Sequence, residues 1–193
     1  MPNLKSTPEF GPDSDGFPAC QQAIWSCETL AISGVSPYVG AMRIALYQPD
    51  IAGNVGTILR TAACFGVAVD IIEPCGFPFS ARALKRAGMD YAAHAAVARH
   101  ASWDAYVAAQ TSGGGRLVLF TTQGAVSLNA FVFRPDDRLL FGSETGGVPG
   151  KVHVAADARV AIPLQVGFRS LNVAVAAGIG VAEALRQCKG FGP

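Results

Sequence analysis

Short apolar runs alternate along the chain with longer segments whose apolar residues recur at helical spacing. The short runs predict β-strands, and the longer segments predict helices. This alternation is typical of an α/β domain with a largely parallel sheet. The predicted strands are 43–47, 68–73, 94–98, 116–121, 138–142 and 159–162, and the predicted helices are 54–65, 80–88, 102–110 and 170–187. Asn54 and Ser102 are the expected N-terminal signals of two of these helices.

Residues 1–41 follow a different pattern. Prolines interrupt every apolar period there, and Gly, Ser and Asp fill the intervals. We therefore predict a poorly ordered N-terminal extension over 1–41 and a single domain over 42–190, which begins with the apolar run after Met42. A start codon assigned too far upstream is a second explanation for the extension.

The composition is that of a globular domain, because half of the 193 residues are hydrophobic and 15% are charged. We expect a cytoplasmic protein, since no segment resembles a signal peptide or a membrane span. The cysteines are odd in number and irregularly spaced, so we expect reduced, mostly buried thiols rather than disulfides or a zinc site. The formal net charge of +1 leaves nucleic-acid binding open. The cysteines are Cys20, Cys27, Cys64, Cys75 and Cys188.

Three segments follow predicted strands, at the edge where open parallel sheets bind ligands. In the first, 49–60, Asn54 and Gly56 can shape a strand-to-helix turn. The second, 139–149, holds three glycines, which allow backbone amides to approach a ligand closely, but it matches neither common nucleotide-binding pattern. In the third, 162–172, Ser170 and Asn172 are natural helix caps. Each segment alone can also be explained as an ordinary turn or cap.

Taken together and in this order, the three segments resemble the signature motifs of the SPOUT methyltransferases, most closely their short TrmL-type members. The resemblance implies an α/β fold with a mostly parallel sheet, flanking helices and a C-terminal deep trefoil knot. It also implies a homodimer that uses S-adenosylmethionine to methylate the 2'-hydroxyl of the wobble nucleotide of tRNA, C or modified U at position 34. The matching residues are Asn54-x-Gly56-x-x-x-Arg60, Phe141-Gly-Ser-Glu-Thr-Gly-Gly-Val-Pro149, Ile162-Pro-Leu164 and Arg169-Ser-Leu-Asn172.

The same resemblance implies roles for individual residues. Arg60 matches the family's catalytic arginine, and Asn54, Glu144, Ser170 and Asn172 match the polar residues that support it. Because a guanidinium stays protonated throughout the physiological pH range, our interpretation is that Arg60 holds the target phosphate or hydroxyl and stabilises the developing oxyanion. A phosphate oxygen or water would then accept the proton. The residues implied to bind S-adenosylmethionine are Phe120, Thr121, Gly142, Gly147, Ile162, Leu164, Ser170 and Leu171.

Two surface features bear on partners. Arg82, Lys85 and Arg86 share one face of the predicted helix 80–88, and this basic patch either binds RNA phosphates or is an ordinary solvated face. The helix 170–187 is apolar on more than one face, which favours a homodimer interface over a helix that serves only the core.

Alternatives remain open for the function. They are a 2'-O-methyltransferase acting on another tRNA or rRNA site, and a knotted RNA-binding protein that has lost catalysis. No metal is expected, because the histidines are scattered and are better explained as surface or supporting residues. They are His94, His100 and His153.

Overall fold

The computed structural model describes residues 42–78, 95–110, 115–123 and 125–190. Within these ranges, seven strands form one sheet in which every neighbouring pair is parallel. The strands are β1 (Arg43–Tyr47), β2 (Ala68–Ile72), β3 (Val97–His100), β4 (Leu117–Phe120), β5 (Val126–Ser127), β6 (Arg138–Phe141) and β7 (Ala158–Ala161). Their spatial order is β3-β2-β1-β6-β4-β7-β5.

Helices cover both faces of this sheet. They are α1 (Ala52–Phe65), α2 (Trp103–Gln110), α3 (Gly150–Ala155) and α4 (Val173–Gln187), and a 3-10 turn spans Leu128–Ala130. Alternate strand residues point to opposite faces, so Ile44 and Leu46 pack with α1 and α4, whereas Ala45 and Tyr47 pack with α2 and α3. The two apolar clusters bury the central strands on both sides, as expected for a parallel sheet.

Most of the predicted elements are confirmed, including the α/β class and the largely parallel sheet. The strand predicted at 94–98 lies further on, at Val97–His100, and the helix predicted from 170 begins at Val173. The cap at Ser102 is confirmed, because its Oγ accepts a hydrogen bond from the Ala105 amide at 3.1 Å. The cap at Asn54 is wrong: α1 begins two residues earlier, after Ile51.

Three short elements were not predicted: β5, α3 and the 3-10 turn. None of them is longer than the six residues of α3, which is too short for a periodic apolar pattern to develop. The predicted extension 1–41 and the predicted helix 80–88, with Arg82, Lys85 and Arg86, lie outside the described residues. The boundaries of the domain stay predictions.

The described cysteines are free thiols, but the expectation of burial is wrong for them. Cys64 is exposed, and Cys75 and Cys188 are partly exposed. Burial and the neighbouring Glu73 carboxylate raise the pKa of Cys75 to about 11. Among the described residues, no helix combines the length and the hydrophobicity that crossing a membrane requires.

Candidate active site

A cavity of about 520 Å³ opens where β4, β6 and β7 reach their carboxyl ends. The sequence places Gly- and Pro-containing loops there instead of continuing the strands, so the loops form the walls. Phe120 and Phe141, the last residues of β4 and β6, supply aromatic surface, and their rings stack with centroids 4.6 Å apart. The cavity thus combines an apolar interior with loop backbone, as small-molecule sites do.

The loop after β6 is shaped by two glycines. Ser143 and Gly147 exchange backbone hydrogen bonds of 3.0 and 2.9 Å, which close the loop into a tight turn. Gly147 has a φ of +64°, and a Cβ on Gly142 would lie 2.5 Å from the carbonyl carbon of Gly147. Larger side chains at these positions would break the turn, so the glycines of the sequence motif set the shape of the cavity wall.

A chain of side-chain hydrogen bonds joins the three sequence segments at the rim of the cavity. The Asn172 amide donates to Asn54 Oδ1 at 2.9 Å, and the Asn54 amide donates to Glu144 Oε1 at 2.8 Å. Glu144 Oε2 accepts a further bond of 2.8 Å from the Asp50 backbone amide. Both carboxylate oxygens of Glu144 are therefore engaged, one by the first turn of α1 and the other by the loop before it.

The N-terminus of α4 extends this chain. Asn172 is the N-cap, and its Oδ1 accepts from the amides of Ala174 and Val175 at 2.8 and 3.4 Å. The cap predicted at Asn172 is confirmed, whereas Ser170 lies before the helix. The hydrogen bonds run in one direction from the helix amides through Asn172 and Asn54 to Glu144. The positive end of α4 thus faces the carboxylate through two amide side chains.

The structure brings most of the predicted site residues together. All eight residues assigned to cofactor binding line the cavity, and so do Asn54, Glu144 and Asn172. Arg60 is different: it is exposed on α1, six residues beyond Asn54, and it does not line the cavity. Six residues correspond to about 9 Å along a helix, which separates Arg60 from the hydrogen-bonded chain.

Sequence reasoning missed several residues of the site. Asp50 holds the loop after β6 from a second side, because its Oδ2 accepts from the Thr145 amide at 3.1 Å. Ser143 Oγ accepts from the Gly146 amide at 3.1 Å inside that loop. His153 on α3, expected at the surface or in support of the site, also lines the cavity. Asp50 and Ser143 lie inside the segments 49–60 and 139–149, whereas no pattern in the sequence singled out His153.

His100 was also expected at the surface or in support of a site. Its imidazole is largely buried beside β2, where Nε2 lies 2.8 Å from Asp70 Oδ1. Arg43 binds the same carboxylate at 2.6 and 2.9 Å, so this cluster ties β1, β2 and β3 together. Within the described segments, no group of three or more His, Cys, Asp or Glu side chains is arranged to hold a metal ion.

Comparison with known proteins gives concordant matches. Residues 41–182 match the model of the SpoU rRNA Methylase family. A protein of Beijerinckia indica, named tRNA (cytidine(34)-2'-O)-methyltransferase, is 56% identical over 144 residues, which cover 75% of this chain and 90% of that protein.

Two solved structures extend the comparison. One is the structure of a protein described in connection with the 2-OH methylation of C/U34 on tRNA. It is 40% identical to this chain with a TM-score of 0.72, and the match covers 78% of this chain and 98% of that protein's chain. An AdoMet-bound rRNA methyltransferase from Sinorhizobium meliloti is 30% identical with a TM-score of 0.69, and it covers 79% of this chain and 58% of its own. The shared region therefore includes the sheet and the cavity.

Proposed function

This chain belongs to the SpoU rRNA Methylase family, and on that premise we propose that it methylates the ribose 2'-hydroxyl of nucleotide 34 of tRNA. The methyl donor is S-adenosylmethionine, which a 30% identical structure of the family contains. The choice of nucleotide rests on relatives named for cytidine 34, among them one that is 56% identical over nearly its whole length. Membership also implies the deep trefoil knot of the predicted fold.

The hydrogen-bonded chain from α4 through Asn172 and Asn54 to Glu144 is the observation that carries the proposal. It joins all three motif segments at the rim of one cavity. A protein that kept the fold only as an RNA-binding scaffold would not need these polar side chains held in one geometry. Their alignment instead supports a reaction centre whose positions are fixed before substrate arrives.

The cavity fits S-adenosylmethionine in size and chemistry. Its volume of about 520 Å³ lies within the roughly 300–1,000 Å³ of small-molecule sites. The ring of Phe120 and the aliphatic side chains of Ile162, Leu164 and Leu171 offer apolar surface for a flat base, and Gly142, Gly146 and Gly147 bring the main chain to the cavity wall. When bound, the sulfonium supplies an electrophilic methyl group.

Polar residues of the protein position the RNA and stabilise charge during methyl transfer. Asn54 and Asn172 orient Glu144 and the rim of the cavity, where the ribose hydroxyl must meet the methyl group. Arg60 lies outside the cavity, which supports a role in holding the RNA rather than the cofactor. It binds the target phosphate or hydroxyl and stabilises negative charge on the attacking oxygen, and a phosphate oxygen or water takes the proton.

We further propose a homodimer formed through α4. This helix buries Ala177, Val181 and Leu185 against the sheet, yet it also exposes Val175 and Ile179 one turn apart. Side chains four residues apart share a helix face, so these two form a second apolar surface. Sedimentation at micromolar concentration tests this part of the proposal, and a species of monomer mass at every concentration contradicts it.

The proposal extends to RNA contacts outside the described residues. If the helix predicted at 80–88 forms, Arg82, Lys85 and Arg86 share one face of it, and we propose that they bind the tRNA backbone and that the protein acts in the cytoplasm. Replacing them with alanine should weaken tRNA binding uniformly and lower its salt dependence, with S-adenosylmethionine affinity unchanged. An unaltered salt slope contradicts this role.

Bulk tRNA and labelled S-adenosylmethionine test the function directly. The purified protein should transfer label, and mapping of 2'-O-methylated nucleotides should find it at position 34. Label at another tRNA position, or on rRNA alone, would support the alternative of a different 2'-O-methylation site. Saturable cofactor binding without transfer to any RNA would contradict the proposed reaction.

A further inference from the structure

The loop between β7 and α4 presents apolar side chains to solvent beside the cavity. The side chain of Phe168 is 74% exposed, and that of Val166 is fully exposed. Four residues after Phe168, Asn172 enters the hydrogen-bonded chain of the site. Ser170 and Leu171, which lie between them, line the cavity. The exposed ring is thus part of the same loop that forms the cavity wall.

Phe168 is the last residue of a β-turn. The Phe168 amide donates to the Gln165 carbonyl at 3.2 Å, and Gly167 has a φ of +97°. These are the marks of a turn that needs glycine at its third position, so the sequence Gln165-Val-Gly-Phe168 encodes it. The ring is displayed on a closed turn, which reduces the conformational entropy lost when it binds a partner.

The location of the ring limits what can cover it. Three residues span at most about 11 Å, so the Cα atom of Phe168 lies within that distance of Leu171 at the cavity. A nucleotide next to one whose ribose reaches the rim would therefore lie within reach of this loop. The next residue, Arg169, is exposed, and its guanidinium can bind a phosphate. An aromatic ring beside a cation is the combination that binds single-stranded nucleic acid.

We propose that Phe168 stacks on an unpaired base next to the methylated nucleotide and so helps to select single-stranded RNA. This inference rests on the proposed function and adds to it a residue that recognises the substrate. Single-stranded loops expose base faces that aromatic side chains stack on, whereas bases inside a duplex are already stacked. Phe168 therefore favours a loop such as the anticodon loop over a helical stem.

The test measures the affinity of the full-length protein for a synthetic tRNA anticodon stem-loop. Stacking on one base is worth about 1–3 kcal/mol, so Phe168→Ala should raise the Kd about 5- to 150-fold, and Phe168→Trp should retain the affinity. Val166→Ala, in the same turn but without a ring, is the matched control and should bind as the wild type does. Calorimetry should give the same Kd for S-adenosylmethionine in all four proteins.

Abasic substitutions identify the base. Removing one base beside nucleotide 34 should weaken binding by wild type as much as Phe168→Ala does, and should have no further effect on Phe168→Ala itself. Equal affinity of Phe168→Ala and wild type would overturn the inference. So would loss of the dimer in Phe168→Ala, which would make a second copy of this chain the partner of the ring.

Failure of the proposed function gives a different result. If wild type binds the stem-loop but places no methyl group on tRNA, the reaction is wrong, whereas the stacking test still has a definite outcome. If wild type methylates nucleotide 34 and Phe168→Ala binds and reacts equally well, only the inference about Phe168 fails.

Discussion

Gly180 of α4 controls the position of an aromatic wall of the cavity. A Cβ added at this residue would lie 2.6 Å from Cζ and 2.8 Å from Cε1 of Phe120, whose ring lines the cavity. The ring must move by about 0.8 Å to restore an ordinary contact of 3.4 Å. Its movement is resisted because it stacks on Phe141 at 4.6 Å and lies parallel to Phe133 at 6.3 Å.

Gly180→Ala should therefore be less stable than a matched substitution in the same helix. Gly178 offers that control, because a Cβ there would meet nothing within 4 Å. Replacing a helical glycine with alanine stabilises by about 1 kcal/mol, whereas overpacking costs about 1–3 kcal/mol. The free energy of unfolding should thus be about 1–3 kcal/mol higher for Gly178→Ala than for Gly180→Ala.

Urea unfolding at an unchanged m-value measures this difference, and calorimetry measures the effect on the cavity. S-adenosylmethionine should bind more weakly to Gly180→Ala, because the displaced ring changes the wall that contacts it. Sedimentation should first establish the same oligomeric state for both variants. Equal stability of the two variants with unchanged cofactor affinity would refute the proposed packing of Gly180 against Phe120.

The remaining predictions address the rim, the arginine and the thiols. Asn54→Ala should lower kcat at least tenfold, since a hydrogen bond to a charged group is worth about 1.5–3 kcal/mol. Asn54→Asp should have a still lower kcat, because its carboxylate faces Glu144. A wild-type kcat in Asn54→Asp would contradict this. Arg60→Ala should abolish turnover and leave the calorimetric Kd for S-adenosylmethionine unchanged; near-normal turnover would remove Arg60 from the reaction. Peptide mapping after treatment with a thiol reagent at pH 8 should find exposed Cys64 labelled well before Cys75, whose raised pKa of about 11 keeps it protonated; equal rates would contradict that environment.

The central strands β1, β2, β4 and β6 were predictable because their apolar runs are buried on both faces, and hydrophobicity alone marks them. The run 43–47 matches β1 residue for residue. The short helix α3 was missed, since six residues hold less than two helical turns. Its position matters for the site, because it carries His153 into the cavity wall. Only the three-dimensional path of the loop after β6 reveals that contact.

Asn54 shows how a local rule can lose to a tertiary contact. An asparagine before an apolar helical segment is a natural N-cap, but here it lies within the first turn of α1 and its side chain bridges Glu144 and Asn172. Those partners are 90 and 118 residues away along the chain. Sequence spacing alone cannot supply such a contact, and the resemblance to known motifs pointed to these residues without giving the hydrogen bonds.

One measurement tests the central claim most directly. Synthetic anticodon stem-loops are incubated with the protein and labelled S-adenosylmethionine, one all-ribose, one with 2'-deoxyribose at nucleotide 34, and one with 2'-deoxyribose at a neighbouring nucleotide. The account predicts label on the first and third RNAs and none on the second, because only the second lacks the accepting hydroxyl. Label on the RNA with 2'-deoxyribose at nucleotide 34 would contradict methylation of that ribose.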